Sequence, residues 1–331
     1  MELRKVIPNK LTKPTIEPSD IIPPVIPTAK TPPTKDGRNA AREKARALLT
    51  DGAAYLNEGN FEQGIEGFEA NNSGPATAIA LPTNPVVGAA NNWTPNLDTA
   101  MMAAIPGPYV PPVASPVQGS DVLVVRSSVP RVAPAYTTAD VAPGAVNLPV
   151  TPEPIALAAN QYAAIADCTK SVIFQVTAGG VPAGSVNVSL NPGLPGVGFS
   201  AGAVVAPLTT TIYYIGVGLD GDSSLWRLEQ VNGPGFGAPE ELVPDVENMQ
   251  VLYGIDPGGT QTAAAYVTAD QVGGNNVVSI QVALLVAGPP SNKPPAAPPA
   301  YNMVGTQVSA PWDYRRRQVF YATINLRDAV N

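Results

Sequence analysis

A chain of 331 residues makes one large or two ordinary domains. Its 38 Pro and 30 Gly are about a fifth of it, which rules out a few long helices and favours many short elements joined by turns. A net charge of −7 argues against a polyanionic partner such as nucleic acid, and the complete absence of His removes Ser-His and Cys-His nucleophile activation and His-containing zinc sites.

Apolar residues are 44% of the chain, enough for a core, and charged residues only 14%. Cys168 is the single cysteine, so no internal disulfide can form. No run of 18 or more apolar residues occurs, so no segment reads as a membrane span. The charged start Met1-Glu2-Leu3-Arg4-Lys5 is not followed by an apolar stretch, because Pro8, Lys10, Lys13 and Pro14 interrupt it. It does not read as a secretory signal.

Residues 1–36 hold eight Pro and five Lys, with the pairs Pro23-Pro24 and Pro32-Pro33, and read as an extended or disordered arm. Residues 37–60 read as a helix. Asp36 or Asn39 caps it, Ala40 to Leu49 are good helix formers, and Gly59 ends it. Leu49, Gly52, Tyr55, Gly59, Phe61, Ile65 and Phe68 also fit one tetratricopeptide unit, but no second copy follows to stack on it. A helix followed by a loop is the simpler reading. Residues 70–118 are rich in loop signals, among them the Pro106 to Pro116 run.

Strand signals then recur. Val122 to Arg126 is a short apolar run behind the turn formers Gly119-Ser120-Asp121. Residues 130–160 are again Pro-rich. Val172 to Val176 and Thr209 to Val217 read as strands, and Leu225 to Glu229 alternates with period two, which predicts one wet face. Asp220-Gly221 between the last two predicts a hairpin. Val246 to Ile255, Ala264 to Thr268, Val277 to Val286 and Val319 to Leu326 complete an antiparallel set, with a loop at Pro289 to Pro299 and a short helix at Pro239 to Met249. The fold class expected is α+β, mainly β: a head over 61–331, an N-terminal helix and a Pro-rich arm.

Candidate sites are few. Asp220 and Asp222 offer oxygen ligands of the kind calcium takes, but without the spacing of an EF-hand loop, so a polar hairpin turn is the competing reading. Gly196 to Gly202 lacks phosphate-loop spacing and reads as a plain loop. Arg315, Arg316 and Arg317 are a basic cluster that a partner carboxylate would fit, unless its members pair with nearby acids such as Asp313 and Asp328. Of Trp93, Trp226 and Trp312, Trp226 reads as core and Trp312, beside Pro311, as an interface anchor. No spacing singles out a catalytic carboxylate pair, and no cofactor site is visible.

Six runs resemble, in order, the blocks of PilW-type minor pilins: GSDVLVVRSS (119–128), DCTKSVIFQVT (167–177), YYIGVGLDGDSSLWRLE (213–229), ELVPDVENMQVLYGID (241–256), NNVVSIQVALLV (275–286) and RRRQVFYATINLRD (315–328). IEGFEANN (65–72) resembles the start of that family's globular region, so the resemblance spans roughly 61–331. It implies a non-enzymatic structural subunit of a type IV pilus, placed at or near the tip and reaching the cell surface through the periplasm. Its partners would be other minor pilins, the major pilin and a tip adhesin, with assembly into a homo-oligomer or filament also open. The family's leader, cleavage motif and apolar helix find no match in residues 1–60, and the cysteine with which the family often pairs the equivalent of Cys168 is absent. The alternative is a cell-surface or phage-borne module that recognises glycan or a host receptor.

Overall fold

In the computed structural model the described residues are 64–97, 116–128, 132–154, 156–167, 170–191, 193–194, 196–230, 236–293 and 300–326. The expected arm, the helix at 37–60, Cys168 and Asp328 lie outside them. Eighteen strands and two 310 turns, Ala90–Asn92 and Ala269–Gln271, make up the regular structure of the described residues. None of the described helical elements is long and apolar enough to cross a membrane.

The main sheet runs in the order β12 (Glu240–Pro244), β11 (Ser223–Glu229), β10 (Val204–Val217), β4 (Val122–Ser128), β1 (Ile65–Ala70) and β3 (Trp93–Thr94), with each neighbouring pair antiparallel. A second sheet is ordered β14 (Ala265–Val267), β13 (Val246–Ile255), β15 (Val277–Pro290) and β18 (Arg315–Asn325). A small third sheet is β16 (Ala300–Met303), β17 (Thr306–Ser309) and β2 (Ala78–Ala80), the last joined in parallel.

These sheets stack. Leu123, Val125, Ile215 and Leu225 of the main sheet meet Val251, Tyr253, Ile280, Val282 and Leu284 of the second in one core. Phe68, Trp93, Val124, Ile212, Tyr214, Trp226 and Leu228 form a core on the main sheet's other face. Ala283 and Leu285 carry the second sheet onto Met303 and Val308 of the third. Alternate residues of β4, β10, β11 and β15 therefore enter different cores, as the period of two requires. The first two sheets approach so closely at Gly67 that an added Cβ would overlap the Tyr253 hydroxyl.

Residues 132–207 form a lobe inserted between β4 and β10, with a core of its own that includes Val141, Leu148, Ile165, Val181, Val188 and Phe199. Two segments 40 positions apart build it: Val141-Ala-Pro-Gly144-Ala-Val146-Asn147 and Val181-Pro-Ala-Gly184-Ser-Val186-Asn187. Their pairings are related by a pseudo-two-fold. β6 (Asn147–Pro149) lies antiparallel on β9 (Asn187–Ser189), with Leu148 opposite Val188. Val141 bridges Phe199 as Val181 bridges Leu157, and Thr137 bridges Val150 as Val176 bridges Leu190. Gly144 and Gly184 both hold positive φ, 77° and 82°, where a side chain would be strained. Their N–H groups donate to Leu194 O and Glu153 O. Around this pair run β5 (Ala135–Tyr136), β7 (Tyr162–Ala166), β8 (Ser171–Gln175) and the first residues of β10.

Two expectations are altered. The helix at Pro239 to Met249 is instead β12, a corner at Asp245 and the start of β13. Pro244 breaks helical hydrogen bonding there, and Asp245 takes φ 64°, a left-handed conformation that Asp tolerates. Leu225 to Glu229 has one face that is wet only toward its end: Leu225 enters one core, Arg227 is half-buried and Glu229 exposed, while Trp226 and Leu228 fill another core. Ile65 and Phe68, which also fit a single tetratricopeptide unit, sit in β1. The Pro-rich stretch, from residue 132 onward, holds one half of the duplicated lobe.

The two-fold exposes one mismatch. Glu153 stands where Leu194 stands in the other half, since each donates its N–H across the bridge, Glu153 to Ser185 O and Leu194 to Ala145 O. Both side chains are 2% exposed, but neither carboxylate oxygen of Glu153 has a hydrogen-bond partner. Burial raises its pKa from 4.5 to about 7. Such a group favours the protonated fold, so stability is lost as pH rises through about 7. Glu153→Leu should stabilise the protein by about 1–3 kcal/mol at neutral pH. The gain should be larger at pH 8 than at pH 5 when unfolding midpoints are compared.

Candidate functional site

Two polar constellations stand out. The first joins the sheets. Among the described residues, the edge of β13 around Met249 to Val251 has no strand beside it, so its backbone groups need other partners. Gly119, Ser120 and Asp121 supply them. Met249 N donates to Ser120 Oγ at 3.0 Å, Asp121 N to Met249 O at 2.9 Å, and Val251 N to Asp121 Oδ2 at 2.8 Å. Asp121 Oδ1 accepts from Ala70 N at 3.0 Å, and Trp93 Nε1 donates to Ser120 O at 2.8 Å. Gly119 O accepts from Asn248 Nδ2 and Gln250 Nε2.

Glu69 lies beside this hub. Its Oε1 accepts from Ser73 Oγ at 2.7 Å, while its Oε2 is buried without a partner. Burial first, and then mutual repulsion, raise the pKa of Asp121 well above its usual value. Burial raises Glu69 from 4.5 to about 7, with Asp270 adding to it. Both Asp121 oxygens already accept backbone N–H groups, so the proton of the pair belongs on Glu69.

The second constellation gathers the acids and arginines. The β10–β11 turn carries Asp220 and Asp222, the β12–β13 corner Asp245, and β13 Glu247. Asp220, Asp222 and Asp245 each offer an oxygen within 4.8 Å of the others. The sequence offered the first two as weak candidate metal ligands beside the reading of a polar hairpin turn, and the fold brings the third to them. Arg315 enters this group: its Nη1 is 2.8 Å from Asp222 Oδ2, and its Nη2 donates to Asp245. Burial pulls Arg315 down, but Asp245 and Asp222 outweigh it and raise it. Burial holds the Asp245 pKa up despite Arg315. A guanidinium therefore supplies the counter-charge that a cation would bring.

Arg317 is the more buried partner, its side chain 1% exposed, with Nε 2.5 Å from Glu247 Oε2 and Nη2 2.7 Å from Asp313 Oδ2. Its hydrogen bond lowers the Asp313 pKa. Arg316 points the other way along the strand and is exposed. An open cleft beside the network is lined by Pro82, Pro85, Val86, Asp222, Asp313 and Arg315, among others. Trp312 and Tyr314, which flank Asp313, are 66% and 54% exposed. Trp93 and Trp226 are core residues instead, 0% and 1% exposed. The carboxylates at the cleft are engaged by guanidiniums, an arrangement suited to holding surfaces together or docking a charged partner.

Sequence reasoning found the arginines and two of the acids. It missed Asp245 and Glu247, which lie 70 residues from their partners, and read Gly119-Ser120-Asp121 only as a turn. The single clue to Asp245 was a non-Gly residue after a proline inside an apolar run.

Two outcomes test these constellations. Arg317→Ala leaves Glu247 and Asp313 without their partner and should cost about 3 kcal/mol, whereas Arg316→Ala should stay within about 0.5 kcal/mol in urea unfolding. Glu69 binds its proton more tightly in the fold than in the unfolded chain. Its contribution is complete below pH 4.5 and is lost as pH rises through about 7. Glu69→Gln should make the decline of stability between pH 5 and 8 shallower than in the wild type.

A family model described as Type IV Pilus-assembly protein W matches residues 212–328. No curated protein and no solved structure matches the chain. The matched segment runs from the middle of β10 through β18, so it holds Asp220, Asp222, Asp245, Glu247, Trp312 and all three arginines. The earlier runs at 65–72, 119–128 and 167–177, and the whole lobe over 132–207, fall outside it. Over residues 212–328 the chain is similar to the type IV pilus-assembly protein W family.

Proposed function

We propose that this protein is a structural subunit of a type IV pilus or a related extracellular filament, acting by protein–protein assembly at or near the tip. The observation that carries the reading is the family match over 212–328, which spans the acid–arginine network and the last strand. Other minor pilins, the major pilin and a tip adhesin are the partners, and the route is through the periplasm to the cell surface. The absence of His and the pairing of the cleft carboxylates with Arg315 and Arg317 favour assembly over catalysis.

The assembly surface is the exposed part of the segment Trp312 to Arg316. Trp312 and Tyr314 present aromatic area of the kind that anchors interfaces, and Arg316 adds an exposed cation. A second reading, a module that binds glycan, draws on the same Trp312 beside an open cleft.

Deletion of the gene should reduce surface pili counted by electron microscopy. Complementation with the wild type should restore them, and Trp312→Ala with Arg316→Glu should fail to do so while the protein remains folded. Normal piliation in the deletion strain, with Trp312-dependent binding on a glycan array, would support the second reading and overturn the first.

A further inference from the structure

We propose that the acidic, aromatic face around Asp313 is occupied by the chain's own N-terminal arm, residues 21–35, docked as a polyproline-type helix. The inference deepens the proposed function, since it rests on that face being the assembly surface.

Charge is the first argument. Asp220, Asp222, Asp245, Glu247 and Asp313 outnumber the guanidiniums there, five carboxylates to three when the exposed Arg316 is counted with Arg315 and Arg317. The rest of the molecule shares the excess, with 22 acidic against 13 basic side chains over residues 37–331. The arm has the opposite sign. Residues 1–36 carry five Lys and one Arg against four acids, a net of +2. A cationic segment of an acidic protein is drawn to the place where unbalanced carboxylates gather.

Shape is the second argument. Trp312 and Tyr314 stand out of the surface two residues apart, on either side of Asp313, which itself lines the open cleft together with Pro82, Pro85 and Val86. Aromatic-lined grooves flanked by charge are the general receptors of Pro-rich segments, whose extended form loses little entropy on binding. The arm offers Pro23-Pro24-Val25-Ile26-Pro27-Thr28-Ala29-Lys30-Thr31-Pro32-Pro33. A polyproline helix repeats every three residues, so Pro24, Pro27, Lys30 and Pro33 share one face. Lys30 then follows Pro27 by about 9 Å, one turn. Two prolines on Trp312 and Tyr314 would set the ammonium group at the rim of the cleft, where Asp313 stands between the two rings.

Reach is the third. The 27 residues 37–63 separate the arm from β1. Even as a continuous helix they span about 40 Å, and extended about 90 Å, against a radius of gyration of about 18 Å for a domain the size of the head. The arm can therefore reach this face of its own chain.

The test uses the full chain. Thermolysin cleavage within residues 15–35, followed by mass spectrometry, should be slow in the wild type. It should accelerate at least tenfold in Lys30→Glu and in Trp312→Ala with Tyr314→Ala, and should not change in Tyr321→Ala, an exposed aromatic on another part of β18. Trp93 and Trp226 are buried, so acrylamide quenching of the exposed Trp312 should rise about twofold in Lys30→Glu. Unchanged near-UV circular dichroism keeps misfolding out of the comparison. Equal cleavage of wild type and variants overturns the docking. Protection that grows with protein concentration also overturns it, because it assigns the arm to a second copy. Both results leave the piliation phenotype untouched, so the docking can fail while the proposed function stands.

Discussion

The meeting of the two large sheets depends on one short polar segment. Gly119, Ser120 and Asp121 lie along the open edge of β13 and satisfy the backbone of Met249 and Val251 as a neighbouring strand would. The same three residues hold Ala70 of β1 and the indole of Trp93. Hydrophobic burial drives the sheets together, but it has no direction and does not fix the register of one sheet over another. Backbone hydrogen bonds donated to a fully buried carboxylate do, because any shift would strand polar groups away from water. The raised pKa values of Asp121 and Glu69 are the electrostatic cost of that specification.

The acid–arginine network plays a similar part at another place on the head. Arg315 and Arg317 belong to the last strand, yet their partners sit on the β10–β11 turn, the β12–β13 corner and β13. The final strand is thus tied both to the main sheet and to its own. This network also limits the chemistry available nearby. Carboxylates bound to guanidiniums are poor proton donors and poor nucleophiles.

Much of the fold was legible in the sequence. Runs such as Ile212-Tyr213-Tyr214-Ile215 and Val282 to Val286 are β-branched or aromatic enough to be strands wherever they occur, and Asp220-Gly221 marks its hairpin. What stayed hidden depended on the third dimension. Whether both faces of Leu225 to Glu229 are covered depends on which sheets stack, and a period of two does not say. The duplication in the lobe rests on Val, Gly, Val and Asn repeated 40 residues apart within a stretch whose Pro and Gly content reads as loop. The candidate site was half visible, because its arginines are contiguous while their acids are scattered over nearly a hundred residues.

The lobe enters and leaves the main sheet at neighbouring points, since Ser128 and Leu208 are paired across β4 and β10. To that sheet the whole insertion is a long hairpin loop, and its core is separate from the cores that hold the three sheets together. Selection on whatever the lobe meets can therefore rewrite its surface, trim it or remove it while the surrounding scaffold keeps its register. A fold of this design can diversify its outward appearance without renegotiating the contacts that build the rest of the molecule.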